Sequence, residues 1–397
     1  MPGQAVTKRI YIIAGEASGD VIGGELMKAL KAQCADVAFA GLGGDRMQAE
    51  GLKSLFDIRQ IALMGFVEIV PHIPRLHARI QETVADIIAK QPDMLITIDS
   101  PGFTFRVVKA LKKQGFKAPC VHYVAPTVWA YKPKRAEKTA KLFDRLLCIL
   151  PFEPKYFTAH GLQADFVGHP IAWQHRARGN GESFRIKHHI PTEAVVLCMM
   201  PGSRHSELLR HLPIFRESVV RLRKSIPSLQ IIMPTNENIA LHVQTAIQDW
   251  PVPVTLVEDA DQKADAFAAC DLALAKSGTV ALEIALAGVP SITTFRANPV
   301  SVALVRRMIR VPYVNLMNIM AFLARNPAPI PELLQERCNP KAISAVLLNL
   351  WNSKAAQKAQ LEACSQYCEQ LGMFDEKSPS EKAAANLLPL LNIQSQG

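Results

Sequence analysis

The side chains with useful chemistry stand at the ends of short apolar runs. Asp99 closes the run Leu95-Ile96-Thr97-Ile98. A carboxylate of ordinary pKa, about 3.9, is ionised at neutral pH and can take a proton from an attacking hydroxyl. Asp99 would equally serve as an N-cap for a helix entering at Phe103. In the second half, Val195–Met200 runs into Pro201-Gly202-Ser203-Arg204. There Gly202 would let a phosphate approach the backbone, Ser203 would cap the following helix, and Arg204 would pair with phosphate oxygens. A second such turn, Ser277-Gly278-Thr279, follows the run Asp271–Ala275 and opens a helix over Val280–Leu286. Glu283, one turn into that helix, could accept hydrogen bonds from two ribose hydroxyls. Either turn alone is an ordinary helix start. Two in one half, with an arginine and a glutamate, point to a nucleotide diphosphate.

Other chemistries are disfavoured. The loop Gly15-Glu16-Ala17-Ser18-Gly19-Asp20 is not G-x-G-x-x-G, no Walker A sequence occurs, and Ser18 is one place off the nucleophile-elbow spacing. Of eight cysteines only Cys364 and Cys368 are close, at helical i,i+4 spacing, and no second pair completes a zinc pattern. Reduced structural thiols, no metal and no cofactor are the expectation.

The elements that must position these groups alternate. Lys8–Ala14, Val37–Ala40, Met94–Ile98, Cys120–Val124 and Leu146–Leu150 read as strands, with helices over Asp20–Ala32, Leu76–Ala89 and Phe103–Lys113. The pattern breaks in a polar stretch, His169–Arg185, taken as a linker. It then resumes through Ala194–Met200, Gln230–Met233, Val254–Val257, Asp271–Ala275 and Pro290–Thr293 and turns wholly helical from about Pro340. Strands separated by helices imply parallel sheets. The fold class expected is α/β, with two Rossmann-like domains facing a cleft. Their bounds are 1–175 and 176–350, the second holding the nucleotide-binding turns, with C-terminal helices over 351–397.

The 397 residues carry a formal charge of +10, with 49% hydrophobic and 20% charged residues. Such a chain buries a core, and its charge suits an anionic lipid surface or a phosphorylated ligand. Basic residues are not interleaved with aromatics, so nucleic acid is not expected as a partner. No run is long enough to span a membrane and no secretory signal opens the chain, so the cytosol is the expected compartment. One segment, residues 63–79, mixes bulky apolar and basic side chains. Phe66, Val67, Ile69, Val70, Ile73 and Leu76 are expected to form a partly exposed patch for acyl chains, with Arg75 and Arg79 near headgroups.

The ordered set Ala14–Asp20, Met64-Gly-Phe-Val-Glu68, Ile98-Asp-Ser-Pro101, His122–Trp129, Phe152-Glu153, Gly168-His-Pro170, Pro201–Arg204 and Ser277–Glu283 resembles the lipid-A-disaccharide synthases. The resemblance implies an inverting GT-B glycosyltransferase joining UDP-2,3-diacylglucosamine to 2,3-diacylglucosamine 1-phosphate, with the acceptor on the first domain, UDP on the second and the helices of 351–397 packing back on the first domain. It further implies the cytoplasmic face of an inner membrane, no required metal, and a domain-swapped homodimer as a possible assembly. It assigns Asp99 as base, and Arg204, Glu283 and Asn318 to the nucleotide. Glu16, Ser18, Met64, Trp129 and His169 fall on the acceptor side. Two positions depart from the family pattern: Gly102 stands where a second acid is common, and Ala125 where a serine is. A UDP-N-acetylglucosamine 2-epimerase, another UDP-N-acetylglucosamine transferase, and a non-catalytic UDP-binding membrane module are the alternatives.

Overall fold

The computed structural model describes residues 7–61, 73–175, 179–237, 239–298, 302 and 308–391. The chain divides into two compact units, residues 1–170 with 375–397, and residues 171–374.

The first unit is built on β1 (Lys8–Ala14), β2 (Val37–Leu42), β3 (Met94–Ile98), β4 (Cys120–Tyr123), β5 (Arg145–Cys148) and β6 (Gln163–Phe166). They form one sheet in the order β2-β1-β3-β4-β5-β6, and every pairing is parallel. Residues Ile10 to Ala14 are fully buried, which is why β1 reads as a continuous apolar run: helices cover both faces of the sheet. Those helices include α1 (Ala17–Gln33), α2 (Asp45–Ala49), α3 (Ile73–Lys90) and α4 (Pro101–Lys113). Leu76, Ile80, Val84 and Ile87 make the apolar stripe of α3 and join the core with Tyr11, Ile13 and Leu95.

That stripe corrects the expectation for Leu76, which is 8% exposed and belongs to the core rather than to an acyl patch. Met64, Phe66, Val67, Ile69 and Val70 lie outside the described residues, as does the side chain of Ile73. Arg75 is exposed, whereas Arg79 pairs with Glu82 and covers the Phe56 ring.

The linker read over His169–Arg185 is largely structured. Within it, α5 (Gly181–Lys187) belongs to the second unit, with Asn180 as its N-cap and Phe184 buried. The glycines there answer to packing. A Cβ on Gly179 or Gly181 would come within 2.2 or 2.3 Å of backbone atoms of Ala264 and Ala268.

The second unit repeats the plan with β7 (Val195–Met200), β8 (Leu229–Pro234), β9 (Val254–Val257), β10 (Leu272–Lys276), β11 (Ser291–Phe295) and β12 (Glu332–Leu334). Their order is β12-β11-β10-β7-β8-β9, again parallel throughout. Its helices include α6 (His205–Leu222), α7 (Thr279–Leu286), α8 (Leu316–Leu323), α9 (Pro340–Asn352) and α10 (Lys354–Gln370). The last helix, α11 (Pro379–Leu387), packs on α1 in the first unit. The helical tail therefore splits. The part returning to the first unit starts at Asp375, not at residue 351, because α10 is anchored in the second unit by Gln360, which bonds both the N–H and the C=O of Ser291. Among the described residues, no helix is long and apolar enough to cross a membrane.

Candidate functional site

Each sheet has one place where the strand order reverses, and parallel α/β sheets bind ligands beyond the carboxyl ends of the strands at that point. In the first unit it lies between β1 and β3, in the second between β7 and β10. The candidate residues gather at both.

At the first reversal, the registers Ala14↔Ile98 and Ile98↔Tyr123 set Gly15, Asp99 and Val124 in one row. Asp99 (φ 50°), Ser100 (φ 47°) and Val124 (φ 74°) all occupy the left-handed region, a conformation unfavourable for side chains with a Cβ. Asp99 is not the helix cap. Ser100 takes that position in α4, and the Asp99 carboxylate instead accepts its neighbour's Ser100 N–H at 2.7 Å. Burial pushes the Asp99 carboxyl above the ordinary range, with the Ser100 hydrogen bond acting the other way. The expectation of an unperturbed acid is thus corrected: Asp99 is a stronger base. Ser100 Oγ reaches Glu16 Oε1 at 3.4 Å, tying the ends of β1 and β3 together. Gly15 must lack a side chain, since a Cβ there would meet Ser100 Cβ and Oγ at 2.4 Å.

The other residues of that edge divide. Ser18 is exposed in the first turn of α1. Asp20, two residues on, is structural: its carboxylate accepts the N–H groups of Gly44, Arg46 and Met47 and holds the start of α2. Trp129, after β4, is 9% exposed and donates its indole N–H to Glu153 at 3.2 Å. Glu153, after β5, also accepts the Leu150 N–H, yet burial pushes its pKa up to about 8. His169, after β6, is buried, its Nδ1 finds no partner among the described residues, and burial pushes its pKa down to about 4. His122 belongs to the core, its ring stacked on Phe143 and its Nδ1 2.8 Å from Thr97 Oγ1.

At the second reversal, Gly202, Ser203, Arg204, Gly278, Thr279 and Glu283 line one cavity of about 310 Å³. Its details revise several roles. Arg204, not Ser203, is the N-cap residue of α6, and the Ser203 N–H donates to Glu207 Oε2 at 3.0 Å. Glu207 also sets the need for Gly202 (φ 131°), where a Cβ would lie 2.6 Å from its carboxylate. That backbone is therefore already engaged by an anion of the protein itself. Glu283 is held by Lys263 at 2.5 Å across the cavity. Two expected nucleotide contacts are turned elsewhere. Ser277 is 1% exposed, and its hydroxyl donates to Glu332 at 2.7 Å. Asn318 is fully buried, and its amide bonds both the C=O and the N–H of Ile330, fixing α8 to the segment that leads into β12.

Five polar lining residues were not singled out from sequence: Glu207, Thr235, Asn236, Lys263 and Lys276. Lys276 carried a usable signal, a lysine ending an apolar strand directly before a small-residue helix start. Thr235 Oγ1 and Asn236 Oδ1, just past β8, are buried without a hydrogen-bond partner among the described residues. Among the described residues, no three His, Cys, Asp or Glu side chains gather to hold a metal ion.

Two Rossmann-like units, each with polar groups at its strand-order reversal, define a GT-B glycosyltransferase fold. In agreement, a Staphylococcus aureus MnaA–UDP complex superposes with a TM-score of 0.64 at 14% identity, over 98% of both chains. Acinetobacter baumannii MurG superposes with a TM-score of 0.55 at 13% identity, over 96% of this chain and 99% of that one. The family described as lipid-A-disaccharide synthetase matches residues 10–387. The lipid-A-disaccharide synthase of Rhodospirillum centenum is 47% identical over 384 residues, 96% of this chain and 94% of that protein. The chain belongs to the lipid-A-disaccharide synthase family.

Proposed function

We propose that the protein condenses UDP-2,3-diacylglucosamine with 2,3-diacylglucosamine 1-phosphate, releasing UDP and the β-1,6-linked disaccharide 1-phosphate. The observation that carries this is the family match, which runs unbroken through both units. In this reading the second unit's cavity takes the UDP of the donor and the acceptor lies against the first unit's reversal point. The acceptor's 6-oxygen bonds to the anomeric carbon as the bond from that carbon to the diphosphate breaks. Asp99 takes the hydroxyl proton, and inversion follows from attack opposite the leaving group. Glu16, through Ser100, supports the strained turn that aims Asp99.

The membrane enters the same reading. Both substrates are acylated, and a net charge of +10 favours an anionic surface, so the enzyme works as a peripheral protein on the cytoplasmic face. A homodimer is the assembly inferred, and light scattering in solution tests it. Incubating the protein with both acylated sugars and weighing the products tests the reaction. The expected product has the mass of the disaccharide 1-phosphate, with one UDP released per molecule. An isomerised UDP-sugar, or UDP bound without turnover, would overturn the proposal.

A further inference from the structure

Lys276 ends β10, and its ammonium lies 2.9 Å from Glu207 Oε1. The pair is enclosed, with 18% and 13% of the two side chains exposed. Glu207 comes from the first turn of α6, and its other oxygen accepts the Ser203 N–H. Toward α7, the Lys276 Nζ is 3.5 Å from where a Cβ on Gly278 would stand, and among the described residues beyond Gly278's chain neighbours nothing else lies within 4 Å of that position. The cation is thus tethered to the start of α6 and overhangs the open start of α7. The first N–H groups of a helix have no acceptor within the helix and favour an anion.

The charges around the cavity show what this cation faces. Arg204, Lys263 and Lys276 oppose Glu207 and Glu283, and Lys263 is committed to Glu283 at 2.5 Å. A nucleoside diphosphate leaves with more negative charge than the single positive excess that remains. Thr235 and Asn236, whose Oγ1 and Oδ1 have no hydrogen-bond partner among the described residues, line the same cavity. We propose that Lys276 is a catalytic residue of the transfer: it binds the donor's diphosphate at the start of α7 and neutralises the charge that grows there as the sugar departs. Glu207 is its positioning residue. This rests on the second unit's cavity being the donor site. In the step, the electron pair of the breaking bond goes to the diphosphate, the hydroxyl proton goes to Asp99, and Lys276 keeps its protons throughout.

Calorimetric titration of uridine, UMP and UDP into wild-type protein and Lys276→Met tests the proposal. Because that change leaves Glu207 enclosed with one cation fewer, the double variant Lys276→Met/Glu207→Gln is titrated alongside. Loss of a charge-assisted contact should raise the UDP Kd about ten- to a hundredfold, lower kcat by a comparable factor, and leave uridine binding unchanged. Lys276→Arg should recover part of both losses. Unchanged UDP affinity and kcat in the double variant overturn the role of Lys276 while the donor site stands. Equal losses for uridine and UDP also overturn it, marking Lys276 as a structural support. Wild-type protein that binds none of the three overturns the donor site itself, and this inference with it.

Discussion

Asp99 and Ser100 stand in the left-handed region one after the other, at a cost of about 1–3 kcal/mol each, and residues hold such conformations only where their surroundings impose them. Here the β3 pairings on both sides and the Gly15 approach impose them. Asp99→Asn is nearly isosteric, so it should fold and bind UDP as the wild type does while turnover falls by roughly 10² or more. Because burial raises the Asp99 carboxyl, wild-type kcat/KM should decline as pH falls through a value above the ordinary carboxylate range. Activity that ignores both the substitution and the pH would remove Asp99 from the chemistry. Glu153 offers a separate test. Its folded pKa, about 8 against an ordinary 4.5, means its neutral form is the stable one. That contribution is fully present below about pH 4.5 and is lost as pH rises through 8. Glu153→Gln should therefore melt close to wild type at pH 5 and above it at pH 9, and parallel melting curves would contradict the burial argument. At this scale the sequence told less than at any other. It shows that Ser277 and Asn318 are polar and near the right strands, but not that Glu332 and Ile330 already hold them.

Elements were more legible, because burial on both faces leaves a period-free apolar run that helices do not imitate over so few residues. β1 and β3 are legible to the residue, whereas β6 and β12 were not read. β6 is four residues of mixed polarity, Gln163-Ala-Asp-Phe166, at the edge of its sheet, and β12 is only three residues at the edge of the other. So few apolar residues in either carry no signal, whereas the edge strands β2 and β9 keep enough of them to be read. Helix α3 shows the opposite difficulty. Its stripe of Leu76, Ile80, Val84 and Ile87 has helical period, but period alone does not say whether core or membrane receives it. Leu76→Ser should then cost about 2–5 kcal/mol, visible as a clear drop in Tm without selective loss of vesicle binding. The sequence-based proposal for the preceding segment is the reverse. Val67→Ser with Ile69→Ser should weaken binding to anionic vesicles with little change in Tm. If Leu76→Ser leaves Tm unmoved, its placement in the core is wrong.

For the whole molecule, the chain's path makes the first unit depend on residues that come last. Ala383, Ala384, Leu387, Leu388 and Leu391 are almost wholly buried in one core cluster with Leu26, Met27 and Leu30 of α1. Gln33 donates to the Glu381 C=O at 3.2 Å, and Arg145 donates to the Asn386 C=O. The family resemblance implies a helical tail that packs back on the first domain but not that the return begins at Asp375, since an amphipathic helix carries no mark of which core receives its apolar face. Each large apolar side chain in such a core contributes roughly 1.5–3 kcal/mol, so the three leucines together approach the 5–15 kcal/mol that holds a typical domain folded. Truncation after Phe374 should therefore melt the first unit and spare the second, whose own core contains none of these residues. Two measurements read this out. Limited proteolysis should degrade residues 1–170 while a fragment spanning about 171–374 persists, and UDP should still bind as the sugar transfer disappears. A truncated protein with wild-type Tm and turnover would show that α11 merely rests on α1. Loss of both units together would show that the second unit also needs the first in order to stay folded.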